Sequence, residues 1–242
     1  MDFRLLIVFA GAMIGGLVQS VTGFGCGVVM MIFMPMLFNL LQASAITSAL
    51  SIALTVSLAF RFRKSLEIGK LILPSVIYIV LCNTMIWIST SLNTQYLLLA
   101  FGIFLLLLAA YFFFARNRVK LPGTPATAVA VSSLSGVTAG LFGIGGPLMA
   151  PYFLSVTKTK EGYIALIQTL FACSTVISLI SRILHGIYTI ELLPATLTGM
   201  TGVILGRQVG LKILDRINIE TMSNLVYIMM GLSGILTILT NL

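Results

Sequence analysis

Gln19-Ser20-Val21-Thr22-Gly23-Phe24-Gly25-Cys26-Gly27 interrupts a long apolar run near the start of this 242-residue chain. Leu141-Phe142-Gly143-Ile144-Gly145-Gly146-Pro147 interrupts another, and Gly23 and Gly25 recur 120 residues on as Gly143 and Gly145. Glycine permits positive φ and close backbone approach, so each cluster marks a break in a helix. Lipid offers no hydrogen bonds, so broken backbone is tolerated only where protein or a water-filled cavity surrounds it.

Composition supports a bilayer as the solvent. The chain is 59% hydrophobic and 8% charged, against about 25% charged in soluble domains. The net charge of +8 does not indicate a nucleic-acid partner, because the basic residues fall in short clusters between apolar runs, the positive-inside pattern. Cys26, Cys82 and Cys173 have neither disulfide nor metal spacing and read as small packing residues. The N-terminal apolar run continues past Gly15 and Gly16 to Pro35, so it reads as membrane domain rather than a cleaved leader. The one linker-like stretch, 116–125, divides a single membrane domain (1–242) into repeat one (1–120) and repeat two (121–242).

Whole spans are expected at 43–62, 71–90, 95–115, 162–184, 191–208 and 220–240, each near the length a bilayer requires. The broken stretches, 5–38 and 126–157, would each be ~50 Å long as continuous helices. That exceeds one untilted crossing and is short for two, so a re-entrant or paired half-helix hairpin is expected. With this threading the clusters Arg61/Arg63/Lys64/Lys70, Arg116/Arg118/Lys120, Lys158/Lys160 and Arg207/Lys212/Arg216 share one face, which the positive-inside rule makes cytoplasmic. Arg4 and Arg182 are the exceptions. The expected fold is an all-α polytopic membrane protein of two inverted-topology repeats, each a broken-helix hairpin followed by three transmembrane helices. Leu73-Pro74 and Leu193-Pro194 repeat at the same 120-residue offset.

Matched broken helices are the sequence signature of a transporter's binding site. Helix N-termini exposed at such breaks present unpaired N–H groups and suit a small anion. The candidate binding set in half one is Gln19, Ser20, Thr22, Gly23, Gly25, Cys26 and Gly27; in half two it is Ser135, Thr138, Gly143, Gly145 and Gly146. The competing reading is that the glycines only permit close helix crossing. Ser44, Thr47, Ser48, Ser51 and Thr55 form one polar stripe, and Gln168, Thr175, Ser178 and Arg182 another; either faces a cavity or glues helices together. Gln168 and Arg182 join the candidate set. Arg182 reads either as an anion attractor at an outer vestibule or as a snorkelling interfacial residue. Asn83 requires a partner in mid-span, and His185 and Glu191 lie near span ends. Gly199, Gly202, Gly206 and Gly210 read as helix packing. Val21-Thr22-Gly23-Phe24-Gly25 faintly echoes a potassium-channel filter, but the second copy lacks it.

Two motifs carry a family likeness: Thr22-Gly23-Phe24-Gly25-Cys26-Gly27 with Pro35, and Ser135-Gly136-Val137-Thr138-Ala139-Gly140-Leu141-Phe142-Gly143-Ile144-Gly145-Gly146-Pro147 with Pro151. With them, and with its two-half plan, the chain resembles the TauE/SafE family of sulfite-exporter-like membrane proteins. Cys26 stands where a bulkier residue is usual, and Pro35 is displaced downstream. The resemblance implies a bacterial inner-membrane transporter of small anions, often sulfur-containing ones such as sulfite or organosulfonates. A secondary transporter working by alternating access is expected, with a passive anion channel as the alternative. No cofactor, metal, enzymatic activity or nucleic-acid partner is expected; the partners are a small anionic substrate and the lipid bilayer, and a homo-oligomer is left open.

Overall fold

The computed structural model describes residues 3–22, 24–115, 121–213 and 219–241. Ten α-helices account for nearly all of them: α1 (Phe3–Thr22), α2 (Cys26–Phe33), α3 (Leu40–Phe62), α4 (Ile68–Ser89), α5 (Thr94–Ala110), α6 (Pro125–Phe142), α7 (Gly146–Val156), α8 (Lys160–Leu184), α9 (Leu193–Ile213) and α10 (Ile219–Asn241). Among the described residues, six helical stretches are long and apolar enough to cross a membrane: Phe3–Ser20, Leu40–Ser65, Ile68–Ser89, Thr94–Phe114, Pro125–Phe142 and Lys160–Leu184. The chain is an integral membrane protein.

This set departs from the expected spans in two ways. α9 is helical, but its four glycines, Arg207 and Lys212 dilute its apolar character, and it is not among the six; nor is the expected span 220–240, where Tyr227–Asn241 is a shorter apolar helix. The long arms of the broken stretches are among them. α1 has 20 residues and α2 only 8; α6 has 18 and α7 only 11. Each break lies late in its stretch, so each hairpin has one long arm and one short arm. α2 folds back along α1, with Cys26 and Phe33 packed on Gly15 and Gly11.

Local chemistry sets the boundaries. Asn39, Asn93, Thr124 and Thr159 cap α3, α5, α6 and α8, each accepting a hydrogen bond from a first-turn N–H. α2 and α7 start instead at Gly25 and Gly145, with no side-chain cap. α4 shows how a span divides its faces: Ile68, Ile72, Val76 and Val80 are exposed, whereas Pro74, Tyr78, Cys82 and Ile86 are buried. A four-residue spacing keeps each set on its own face. The exposed apolar face requires lipid around it.

Small residues let backbones meet. A Cβ on Gly136 would lie 2.7 Å from the Tyr78 carbonyl oxygen, and one on Gly140 would strike the Cys82 carbonyl, so α6 lies tightly on α4. On the other side, Gly202, Gly206 and Gly210 of α9 lie against the backbone of α1 at Phe9, Met13 and Leu17. The glycines of α9 are packing glycines, as their spacing suggests. Contact positions advance together along α4 and α6, and along α1 and α9, so both pairs run parallel. α3 and α8 run antiparallel: Ser44 meets Arg182, while Ser51 and Ser174 meet one cavity. α5 and α10 are also antiparallel, with Gln95 bonded to the Asn241 carbonyl and Gly102 beside Gly234.

Candidate functional site

The glycine breaks converge. Gln19, Gly25 and Gly27 from the first and Gly143, Gly145 and Gly146 from the second line one cavity. Its water-accessible volume is about 60 Å³, several times the roughly 10–15 Å³ one water requires. A Cβ on Gly27 would lie 3.1 Å from the Gly143 carbonyl oxygen, so the two breaks meet backbone to backbone.

Backbone geometry explains why glycine occupies these positions. Gly25 has φ 122° and Gly143 has φ 70°, both unfavourable for other residues. Gly145 has an ordinary φ of −126°; here space decides, because a Cβ would collide with the Tyr78 hydroxyl and sit 2.8 Å from the Ser135 carbonyl oxygen. Gly25 and Gly145 bring the starts of α2 and α7 to the same cavity. Helix starts carry partial positive charge. Gln19 from α1 accepts a hydrogen bond from the Cys26 N–H at 3.2 Å.

The cavity lining includes hydroxyls from other helices. Ser51 and Thr55 come from α3, Ser174 and Thr175 from α8, and Tyr78 from α4; Phe24 and Phe171 add apolar faces. The described lining residues carry no formal charge. Such a site offers backbone amides and hydroxyls to a small polar ligand within apolar walls, the composition expected of a binding pocket.

The remaining sequence-predicted residues sit around this centre. Cys26 is buried beneath the break with its thiol against Gly15. Ser20 bonds back to the Leu17 carbonyl at 2.7 Å and packs on Gly210. Ser135 is buried, its carbonyl facing Gly145, and its hydroxyl has no hydrogen-bond partner. Thr138 donates to the Ser135 carbonyl at 3.1 Å. Gln168 is buried on α8, outside the cavity lining. The side chain of Thr22, and Gly23 altogether, lie outside the described residues.

Arg182 overturns its snorkelling reading. It is fully buried, donating to Ser44 Oγ at 2.6 Å and to the Gly140 and Ala139 carbonyls at 3.1 and 3.5 Å. The C-terminal turn of α6 covers it, and that turn supplies the partial negative charge a cation prefers. The sequence reading missed Tyr78, Ser174 and Phe171. Ser174 precedes Ser178 by one helical turn and completes its stripe, which was the available signal; a lone tyrosine in an apolar span gives none.

No curated protein and no solved structure matches the chain at a significant level. A family model described as "Sulfite exporter TauE/SafE" matches residues 7–237. With that match over nearly its whole length, the chain belongs to the TauE/SafE family of sulfite exporters.

Proposed function

We propose that the protein is a secondary transporter of small anions, sulfite or an organosulfonate in kind, whose site is the cavity between the two glycine breaks. The observation that carries this reading is the convergence of two helix starts, at Cys26 and Gly146, on one cavity without a formal charge. Helix N-termini aimed at an anion within a membrane domain need no counter-cation at the site. Gln19, Ser51, Thr55, Tyr78 and Ser174 orient the ligand through neutral polar groups. Cys26, Ser135 and Thr138 support the breaks from behind.

Two inverted repeats, 1–120 and 121–242, fit the element order. α2 and α7 begin at Cys26 and Gly146, and α3 and α8 at Leu40 and Lys160, both offset by 120 residues. The counterpart pairs α3/α8 and α5/α10 are antiparallel, as inversion requires. Alternating access follows if the repeats exchange conformations around the cavity. The basic ends of α3 and α8 lie at one end of the bundle, supporting a cytoplasmic face in a bacterial inner membrane.

The test is ³⁵S-sulfite counterflow in proteoliposomes. A carrier gives saturable uptake accelerated by internal sulfite. Flux that neither saturates nor exchanges would replace the carrier by a channel. Saturable binding that survives bulky replacement of both Gly25 and Gly145 would remove the site from the cavity.

A further inference from the structure

Arg182 is a buried cation whose described partners are all neutral: Ser44 and the carbonyls of Gly140 and Ala139. No Asp or Glu is buried among the described residues. The Arg182 Nε has no hydrogen-bond partner. Taking a guanidinium out of water is costly unless its charge is compensated, and an ionised residue in a membrane segment points to function. Capping of α6 accounts for the two carbonyl contacts and leaves Nε unexplained.

The surroundings of Arg182 point the same way. Ser174, Ser178 and Arg182 recur every four residues on α8, and all are buried. Across from them α3 presents Ser44, Thr47, Ser48 and Ser51. Ser174 and Ser51 line the cavity at one end, and Ser44 bonds Arg182 at the other. Cys82 of α4 touches the middle, its sulfur 3.3 Å from Ser178 Oγ. The Thr47 hydroxyl is buried without a partner. At the 120-residue offset, the counterparts of Ser174, Ser178 and Arg182 are Leu54, Leu58 and Phe62, and those of Ser44, Thr47, Ser48 and Ser51 are Ile164, Ile167, Gln168 and Phe171. One route out of the cavity is therefore a row of hydroxyls ending at a guanidinium. Its equivalent in the other repeat is apolar apart from the Gln168 amide and ends at Phe62 instead of a cation.

We propose that this α3–α8 seam is the path by which a small oxyanion passes between the cavity and the Arg182 end of the bundle, with Arg182 as a second anion-binding residue on it. The proposal rests on the cavity being an anion site. It makes the two halves unequal in function: anions are stabilised on the Arg182 side, and the counterpart row, which lacks a cation and has one amide among apolar side chains, is the tighter barrier.

Cys82 is a built-in reporter. The unaltered protein in proteoliposomes is treated with two methanethiosulfonates of similar size, one bearing a sulfonate and one a trimethylammonium group. Each forms a mixed disulfide with a thiolate and releases methanesulfinate, and modification at Cys82 is read by mass spectrometry. With each rate divided by that reagent's rate with a small free thiol, the sulfonate reagent should react at Cys82 on the order of tenfold faster, the range of local electrostatic focusing. Arg182→Gln should abolish the preference and Arg182→Lys should keep it. Equal referenced rates, a higher referenced rate for the cationic reagent, no reaction at Cys82, or a preference that persists in Arg182→Gln would overturn the proposal. The measurement on the unaltered chain decides the matter even where Arg182→Gln does not fold. Sulfite binding without charge preference at Cys82 would overturn the route alone; preference without sulfite binding would overturn the cavity reading alone.

Discussion

Gly27 and Gly143, 116 residues apart in sequence, meet so closely that a Cβ on Gly27 would lie 3.1 Å from the Gly143 carbonyl oxygen. Two breaks that only relieved helix crossing would have no reason to meet each other. Their contact sets the starts of α2 and α7 side by side, and a branched side chain at position 27 must separate them. Gly27→Val is expected to weaken sulfite binding by roughly tenfold or more, since overpacking of a tight site costs about 1–3 kcal/mol. Equilibrium binding of ³⁵S-sulfite to purified protein measures this.

Gln19→Glu places a fixed charge at the break. The carboxylate still accepts the Cys26 N–H, but the residue is 3% exposed, and the gain of about 0.3–1 kcal/mol from a negative charge at a helix start is smaller than the cost of burying an unpaired carboxylate. Thermal stability in detergent should fall. Anion binding should fall strongly, because the substituent places a fixed negative charge at the cavity edge. A variant that binds sulfite normally would show that the starts of α2 and α7 do not hold the anion.

The glycine breaks were legible because no other residue suits them: Gly25 and Gly143 need positive φ, and Gly145 needs space. The structure carries the 120-residue offset of those glycines further, to the helix starts at Cys26/Gly146 and Leu40/Lys160, which the expected spans beginning at 43 and 162 did not place. Less was legible on the unbroken helices. Tyr78 reaches the cavity because α6 lies on that face of α4, and helix neighbours are not encoded in the periodicity of one span. Arg182 looked interfacial from its place near the end of α8. It is buried because the tip of α6, far away in sequence, covers it. The arm lengths were not legible, because a broken stretch shows that a helix is interrupted, not how far each arm reaches across the bilayer.

Packing glycines can be told from tolerant ones. A Cβ on Gly206 would strike the Met13 carbonyl, whereas nothing lies within 4 Å of a Cβ on Gly69. Gly206→Ala should destabilise the protein by about 1–3 kcal/mol, because backbone cannot move aside cheaply. Gly69→Ala, in the first turn of α4, should be neutral or stabilising by up to about 1 kcal/mol. Melting temperatures in one detergent compare the two directly.

Sidedness is accessible through exposed loop residues. Lys64 and Lys158 lie at the end of the bundle where α3 finishes and α8 starts, and Ser91 follows α4 at the opposite end. Single cysteines at positions 64 and 158, in a background lacking the native thiols, should label from one side of the membrane. A cysteine at position 91 should label from the other. Labelling of positions 64 and 91 from the same side would remove the antiparallel threading and, with it, the inverted repeat.

Ser44→Ala tests how Arg182 is held. The hydroxyl accepts a hydrogen bond from the guanidinium at 2.6 Å, and both residues are fully buried. A hydrogen bond to a charged group contributes about 1.5–3 kcal/mol, and a buried donor left unpaired adds cost. A fall in melting temperature is therefore expected in the absence of ligand. Ser44 also bonds back to the Leu41 carbonyl of its own helix, so part of the loss is local and would occur whatever Arg182 does. Arg182→Gln combined with Ser44→Ala separates the parts. Once the guanidinium is gone, removing the hydroxyl should cost about 1–2 kcal/mol less than it does alone, the coupling expected of contacting residues. If the two losses simply add, the Ser44 hydroxyl does not hold Arg182, and the burial of the guanidinium depends on the α6 carbonyls alone.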